Sequence, residues 1–394
     1  MIAIHMHLKR LCLCSLLVVG AALTSCSILH WKANPVTERH EHPMLAAARA
    51  GQITLFGDLH NRFTEGYFTR SAVSLKRHTF AEIGGDSDAA LSSEGTRLVF
   101  SSTRHNIKPD IYVKSVDGTA VTLLTSDPAS DVQAAFSPDD TRVAFASDRT
   151  ANWDIWVVSI EGGQPYQITS GTAEDVHPSW SPDGSKIVYC SLPTRGGQWE
   201  LWIANADGGS GKKFIGYGLF PVWSPTGDKI LYQRARERGS NLFSIWTVTL
   251  IDGEPRYPTE VASSAHEAYV LPAWSVDGRQ IAFSSVKKRA PDELSLPSSM
   301  PQMDIWTMWA DGSGKVRLTD GHTVNFAPVF SPRGRVFFVT NRSGHENIWS
   351  LLPGTPSRGP RSDGSLTGGP RTAIEPVGFE HDRPHANNAT DGGL

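Results

Sequence analysis

The groups readiest for nucleophilic or metal chemistry here are 14 histidines and 4 cysteines, and their spacing limits what they can do. No H-E-x-x-H pair and no C-x-x-C pair occurs, so neither spacing that commonly holds zinc is present. No G-x-S-x-G elbow offers an activated serine. Gly208-Gly209-Ser210-Gly211-Lys212-Lys213 resembles a phosphate-binding loop, but its first Gly is misplaced and no Ser or Thr closes it; a strand-to-strand turn is expected. Cys190 lies in an alternating apolar stretch, where a thiol behaves as a small buried hydrophobe. What remains is recurring charge, Arg and Lys alternating with Asp and Glu along the chain, which suits recognition better than bond breaking.

The elements that carry these residues follow from a repeat. Ser137-Pro138-Asp139-Asp140, Ser181-Pro182-Asp183-Gly184 and Ser224-Pro225-Thr226-Gly227 are copies of one mark. Ser92-Ser93-Glu94-Gly95, Ser275-Val276-Asp277-Gly278 and Ser331-Pro332-Arg333-Gly334 extend it, at spacings of 45, 44, 43, 51 and 56 residues. A large apolar residue precedes each mark and a short alternating apolar run follows it, as in Val143-Ala144-Phe145. An aromatic then recurs in Ile111-Tyr112, Ile155-Trp156, Leu201-Trp202, Ile245-Trp246, Ile305-Trp306 and Ile348-Trp349. Leu124-Thr125, Ile168-Thr169 and Leu318-Thr319 close three of the units.

Pro and Gly at these offsets supply tight turns, and period-2 alternation marks half-buried antiparallel strands. One four-stranded unit cannot bury both its faces alone, so the copies must pack face to face. The expected fold is all-β, a six-bladed β-propeller of four-stranded antiparallel blades. In three copies the closing Thr stands 12 residues before the next Ser mark; counting 12 back from Ser92 reaches Phe80. The sixth unit stops after its third strand, so residues near Ala72 to Phe80 are expected to supply its outer strand and close the ring.

The first residues read as an address. Lys9 and Arg10 precede the apolar run Leu11 to Leu23, too short to span a bilayer, and Leu23-Thr24-Ser25-Cys26 resembles the lipobox of bacterial lipoproteins. That resemblance implies a mature chain beginning at a lipidated Cys26 and, with Ser27 rather than Asp next, the outer membrane facing the periplasm. The expected organisation is a signal over 1–25, a tether over 26–71, the propeller over 72–352 and a disordered tail over 353–394. A net charge of −3 gives no bulk attraction to nucleic acid.

The run Asp175-Val176-His177-Pro178-Ser179-Trp180-Ser181-Pro182-Asp183-Gly184 and its copies resemble the WD40-like (PD40) repeats of the TolB family. The resemblance implies a periplasmic propeller that binds partner proteins and works in the Tol–Pal envelope system. Only about 45 residues separate Cys26 from the first expected strand, where TolB carries an α/β domain, so the chain reads as a TolB-like propeller lipoprotein.

In such a ring the loops after second and fourth strands share one face. Arg104, Arg149 and Arg342 occupy equivalent slots there and are expected to pair with loop acids and staple neighbouring blades. Unmatched charge gathers in blades four and five, so Arg234, Arg236, Arg238, Lys287, Lys288, Arg289 and His266 form the expected partner-binding face, with Trp153 and Trp199 at loop ends either as its aromatic anchors or, the reading their positions favour, packed between blades. Asp88, Gln133 and His177 fall on axis-proximal strands and are expected to line the channel. Neither a metal nor a cofactor is expected. The expected partner is an envelope protein or an anionic glycan met by a monomer, and the expected role is non-catalytic binding or scaffolding. The competing reading is a carbohydrate-active propeller using the axial pocket.

Overall fold

The computed structural model describes residues 72–194, 197–235, 242–287 and 302–353. The regular elements among them are 24 strands in six antiparallel sheets of four, the blades of a six-bladed propeller. β1 (Ala72–Arg77) skips its sequence neighbour, and the first blade starts with β2 (Asp86–Leu91), followed by β3 (Arg97–Ser102), β4 (Asp110–Ser115) and β5 (Val121–Leu123). Blade 2 holds β6 (Asp131–Phe136), β7 (Arg142–Ser147), β8 (Asp154–Ser159) and β9 (Tyr166–Gln167). Blade 3 holds β10 (Glu174–Trp180), β11 (Lys186–Leu192), β12 (Glu200–Asn205) and β13 (Lys213–Tyr217). Blade 4 holds β14 (Leu219–Trp223), β15 (Lys229–Ala235), β16 (Phe243–Ile251) and β17 (Glu254–Ala262). Blade 5 holds β18 (Glu267–Trp274), β19 (Gln280–Lys287), β20 (Met303–Trp309) and β21 (Val316–Arg317). Blade 6 holds β22 (Asn325–Phe330), β23 (Val336–Thr340) and β24 (Asn347–Pro353), with β1 as its outer strand.

The Ser marks make the first turn of each blade. In blade 2 the Ser137 hydroxyl donates to Asp139 Oδ1 at 2.5 Å and accepts the Arg142 amide at 2.9 Å, so one side chain closes the turn. That hydroxyl and the Thr141 amide hold the Asp139 carboxyl down at about 2. The core lies between blades rather than at a centre. Val99 and Ile111 of blade 1 meet Val143, Phe145 and Val158 of blade 2 in one cluster, all buried, at about 2 kcal/mol for each large side chain.

Outer strands are held in two ways. In blades 1, 2 and 5 they are short, and a Thr just beyond the strand accepts the amide of the third-strand Ile: Ile111 to Thr125, Ile155 to Thr169 and Ile305 to Thr319, at 2.9–3.0 Å. Blades 3 and 4 have longer outer strands, of 5 and 9 residues. The blade 4 hairpin turns through Asp252 and Gly253, both at positive φ, the two-residue turn that matches strand twist.

The ring closes as expected, through β1 on β24, with Leu75 facing Leu351 and Arg77 facing Trp349. Thr79, not Phe80, fills the Thr slot: its Oγ1 accepts the Ile348 amide at 2.9 Å and donates to Asn347 Oδ1 at 3.2 Å. The connection beyond β1 is one residue longer than in the other copies, which leaves Phe80 exposed. Ala72 and Pro353 pair on the turn face, so both ends of the ring leave on the side opposite the long loops.

Candidate functional site

Each first strand of a blade is bulged at one position. The register slips between Ser87 and Ala90, Val132 and Ala135, Val176 and Ser179, Leu219 and Val222, Val270 and Ala273, and Phe326 and Val329. The residue inside each slip is left-handed: Asp88, Gln133, His177, Phe220, Leu271 and Ala327, with φ from 51° to 58°. None is Gly, so each carries roughly 1 kcal/mol or more of backbone strain, which only surrounding structure can hold. In four blades the next residue is proline (Pro178, Pro221, Pro272 and Pro328), which has no amide to lose where the ladder is interrupted.

The bulges are tied sideways around the axis. Ser101 Oγ of blade 1 accepts the Gln133 amide at 3.1 Å, Gln133 Oε1 of blade 2 accepts the His177 amide at 2.9 Å, and Gln233 Oε1 of blade 4 accepts the Leu271 amide at 2.7 Å. Because Gln133 Oε1 takes a backbone donor, its Nε2 is left to donate to His177 Nε2, 3.1 Å away. His177 also rests on Phe220, ring centroids 3.8 Å apart. The imidazole touches solvent in the channel but lies deep among protein atoms, and desolvation pushes it down to about 3. Burial pushes Asp88 up, opposed by the Ser87 and Ser101 hydroxyls, and burial with the charge of Asp88 pushes Glu346 up. At the bulges the residues are therefore polar in blades 1 to 3 and apolar in blades 4 to 6, with Glu346 of the β23–β24 loop adding an acid near Asp88.

The three residues expected on the axis are thus together. Of the expected partner face, Lys287 and His266 are exposed at the ends of adjacent strands, and Lys287 faces Glu267 across β18 and β19. Arg234 is half-buried with its guanidinium 5.5 Å from the Trp246 ring centroid. Trp199 is half-buried against the core. Trp153 takes the packing role and not the anchor role: only 5% exposed, it sits where blade 2 meets blade 3, its carbonyl accepting the Asp175 amide at 2.7 Å. A large ring at a strand entry gains more from this crevice than from solvent. Arg236, Arg238, Lys288 and Arg289 lie outside the described residues, as do Cys26, the signal, the tether and residues 354–394 of the expected tail; Pro353, its expected first residue, ends β24.

Arg104 and Arg149 pair with acids as expected, chiefly within one blade rather than across two, whereas Arg342 meets a neutral partner. Arg104 donates through Nη2 to both oxygens of Asp86 at 2.8 Å, and Arg149 reaches both oxygens of Asp131 at 3.1 Å, each pair within one blade. Arg149 alone also reaches back to Asp127 in the preceding connection, at 2.7 Å. Arg342 finds Asn325 Oδ1 at 3.2 Å and lies over Phe338 and Trp349. An open cleft of about 580 Å³ lies beside Arg149, but its charges already pair, Lys108 with Asp148 and Arg149 with Asp127. Among the described residues no three His, Cys, Asp or Glu side chains converge as metal ligands.

Sequence reasoning placed Asp88, Gln133 and His177 on the axis but missed that they and their counterparts share a strained conformation. The signal was the proline three residues before the Ser in Pro178, Pro221, Pro272 and Pro328, a residue that does not belong inside a regular paired strand.

The family described as the Tricorn protease N-terminal β-propeller domain matches residues 92–242, less than half the chain. No curated protein matches it in sequence. A solved structure described as a TolB of Agrobacterium tumefaciens is 19% identical over 73% of this chain and 100% of its own, with a TM-score of 0.53. A gluconolactonase of Xanthomonas campestris is 14% identical over 73% and 98%, at 0.52. An oligogalacturonate lyase of Vibrio parahaemolyticus is 14% identical over 73% and 95%, at 0.50. At these identities the likeness is one of fold: the chain is a TolB-like six-bladed propeller.

Proposed function

We propose that this chain is a non-catalytic envelope lipoprotein whose propeller holds a partner protein on its loop face and over the axial mouth, as a binding or scaffolding module of the periplasm. The observation that carries the reading is the ring of six left-handed residues at the axis. Strain repeated in every blade and cross-tied between blades is what a preorganised recognition surface requires. A general base works best with a pKa near the working pH, and His177, pushed down to about 3 and already accepting from Gln133, is poorly suited to that task. Both ends of the ring leave on the turn face, so a tether from Cys26 would point the loop face away from its membrane.

A photo-crosslinker placed at His266 or Lys287, with one at Arg279 on the turn face as control, tests the proposal in envelope extracts. The expected result is a discrete protein adduct from the loop face only, reduced at least tenfold by Glu at a neighbouring basic position. Equal capture from both faces, or turnover of a polyuronate or a lactone by the purified chain, would overturn it.

A further inference from the structure

The seam where β1 closes the ring holds a buried histidine used by no other part of the site. His78 is 2% exposed, between β1, β24 of blade 6 and the end of β4 in blade 1. Its Nδ1 lies 3.1 Å from the Val116 carbonyl, which can only accept, so Nδ1 carries the proton. Nε2, 2.8 Å from Ser350 Oγ, therefore accepts from that hydroxyl, and the same oxygen accepts from Arg335 Nε at 2.8 Å. The ring rests on Phe337, centroids 4.5 Å apart. The buried ammonium of Lys114 donates to the His78 carbonyl at 2.8 Å, and Arg335 binds the Ser74 carbonyl at 2.9 Å.

We propose that this seam is an acid-operated latch, in which protonation of His78 at Nε2 releases β1 from β24 and opens the ring between blades 6 and 1. A proton on Nε2 would make Ser350 Oγ accept from two cationic donors at once, its own hydrogen turned away. The charged groups around the imidazole are Lys76 and Arg77 on β1, Lys114 on β4, Arg335 in the turn before β23 and Asp117 in the turn after β4. Only Asp117 is acidic, and it already pairs with Lys76 at 2.7 Å. Once β1 has left, the imidazole is hydrated and accepts a proton freely.

Burial first, then Lys76, Lys114 and Arg335, hold His78 down at about 4 in the closed ring, against the pull of the Val116 carbonyl. The released strand titrates at the ordinary 6.5 or so, so the open form binds the proton first. Closure is therefore fully supported above about pH 6.5 and weakens as pH falls towards 4, by about two orders of magnitude in the open-to-closed ratio. Asp88, Asp131, Asp154 and Asp175, pushed up mainly by burial, take up protons more readily folded than unfolded and do not weaken the blades in this range, whereas His177, held down at about 3 in β10, weakens blade 3 by the same linkage, so the control strands are taken from blade 2.

Hydrogen exchange on the full chain at pH 7 and pH 4.5, corrected for intrinsic rates, reads the latch. Amides of residues 72–79 and of β24 should lose about a hundredfold in protection at pH 4.5, while β7 and β8 hold theirs. His78→Gln keeps a donor and an acceptor but cannot titrate, and should remove the pH dependence. Equal β1 protection at both pH values, or equal loss in His78→Gln, would overturn the proposal. Should that variant not fold, the imidazole titration in the native chain decides: a midpoint below 5 supports the latch, and one near 6.5 sinks it.

Discussion

Arg104 shows how much one side chain can be asked to do in a thin blade. Its guanidinium neutralises Asp86, which is fully buried, and lies about 5.3 Å from the ring centroids of Phe100 and Tyr112. Arg342 has the same posture in blade 6, but its partner Asn325 is neutral. The two sites therefore predict different costs. Arg104→Met should remove roughly 3 kcal/mol or more of stability in urea unfolding, since it leaves a buried carboxylate unpaired. Arg342→Met should cost roughly 1 kcal/mol, the share of a lost hydrogen bond and stacking. Adding Asp86→Asn to Arg104→Met should recover more than half of the loss; failure to recover would mean that packing, not charge, dominates. The sequence could align these arginines because each follows its Ser mark by nearly the same interval, 12 residues for Arg104 and Arg149 and 11 for Arg342. It could not say which partner each would meet, because side chains on its own blade and on the neighbouring connection both come within reach, as Asp131 and Asp127 do for Arg149.

Among the strands, outer ones are the least alike, and the Thr beyond them divides the blades. Thr319 Oγ1 accepts the Ile305 amide at 3.0 Å and donates to Asp304 Oδ1 at 2.8 Å, both buried. Thr319→Val keeps the shape and removes both partners, so it should cost about 2 kcal/mol. Amide exchange in β21 should rise with it while β17, held by its length, stays protected; exchange rising equally in both would refute a local lock. Strand identity was legible because alternation, a Ser-led turn and a pair of one aliphatic and one aromatic residue recur in all blades. The bulge at each axis was legible only through the proline that follows it in four blades, because Asp, Gln, His, Phe, Leu and Ala share no side-chain property. What they share is a dihedral angle imposed by the neighbouring blades, and period-2 patterning does not register that.

For the whole ring, closure depends on a strand outside the six repeats. Removing residues up to 82 would strip Leu75 and His78 from a seam that also buries Leu351 and Phe338, and would leave β24 as an open edge. The truncated chain should lose on the order of 5 kcal/mol, melt over a wider range and self-associate. A monomer that melts as sharply as the full chain would show that the ring does not need β1. The ring's size and closure were legible from counting, within one residue at Thr79, because the repeat itself stopped one strand short. Closure also sets an order in time. His78 and Ser350 are 272 positions apart, so the first of the 24 strands to be made has no partner until the last is finished. At about 5–20 residues per second, that wait is about 15–55 s. Throughout it five blades can complete themselves from their own sequence while β1 stays an unclaimed strand. A chaperone that guards this chain during synthesis or export would therefore find its lasting target in residues 72–79.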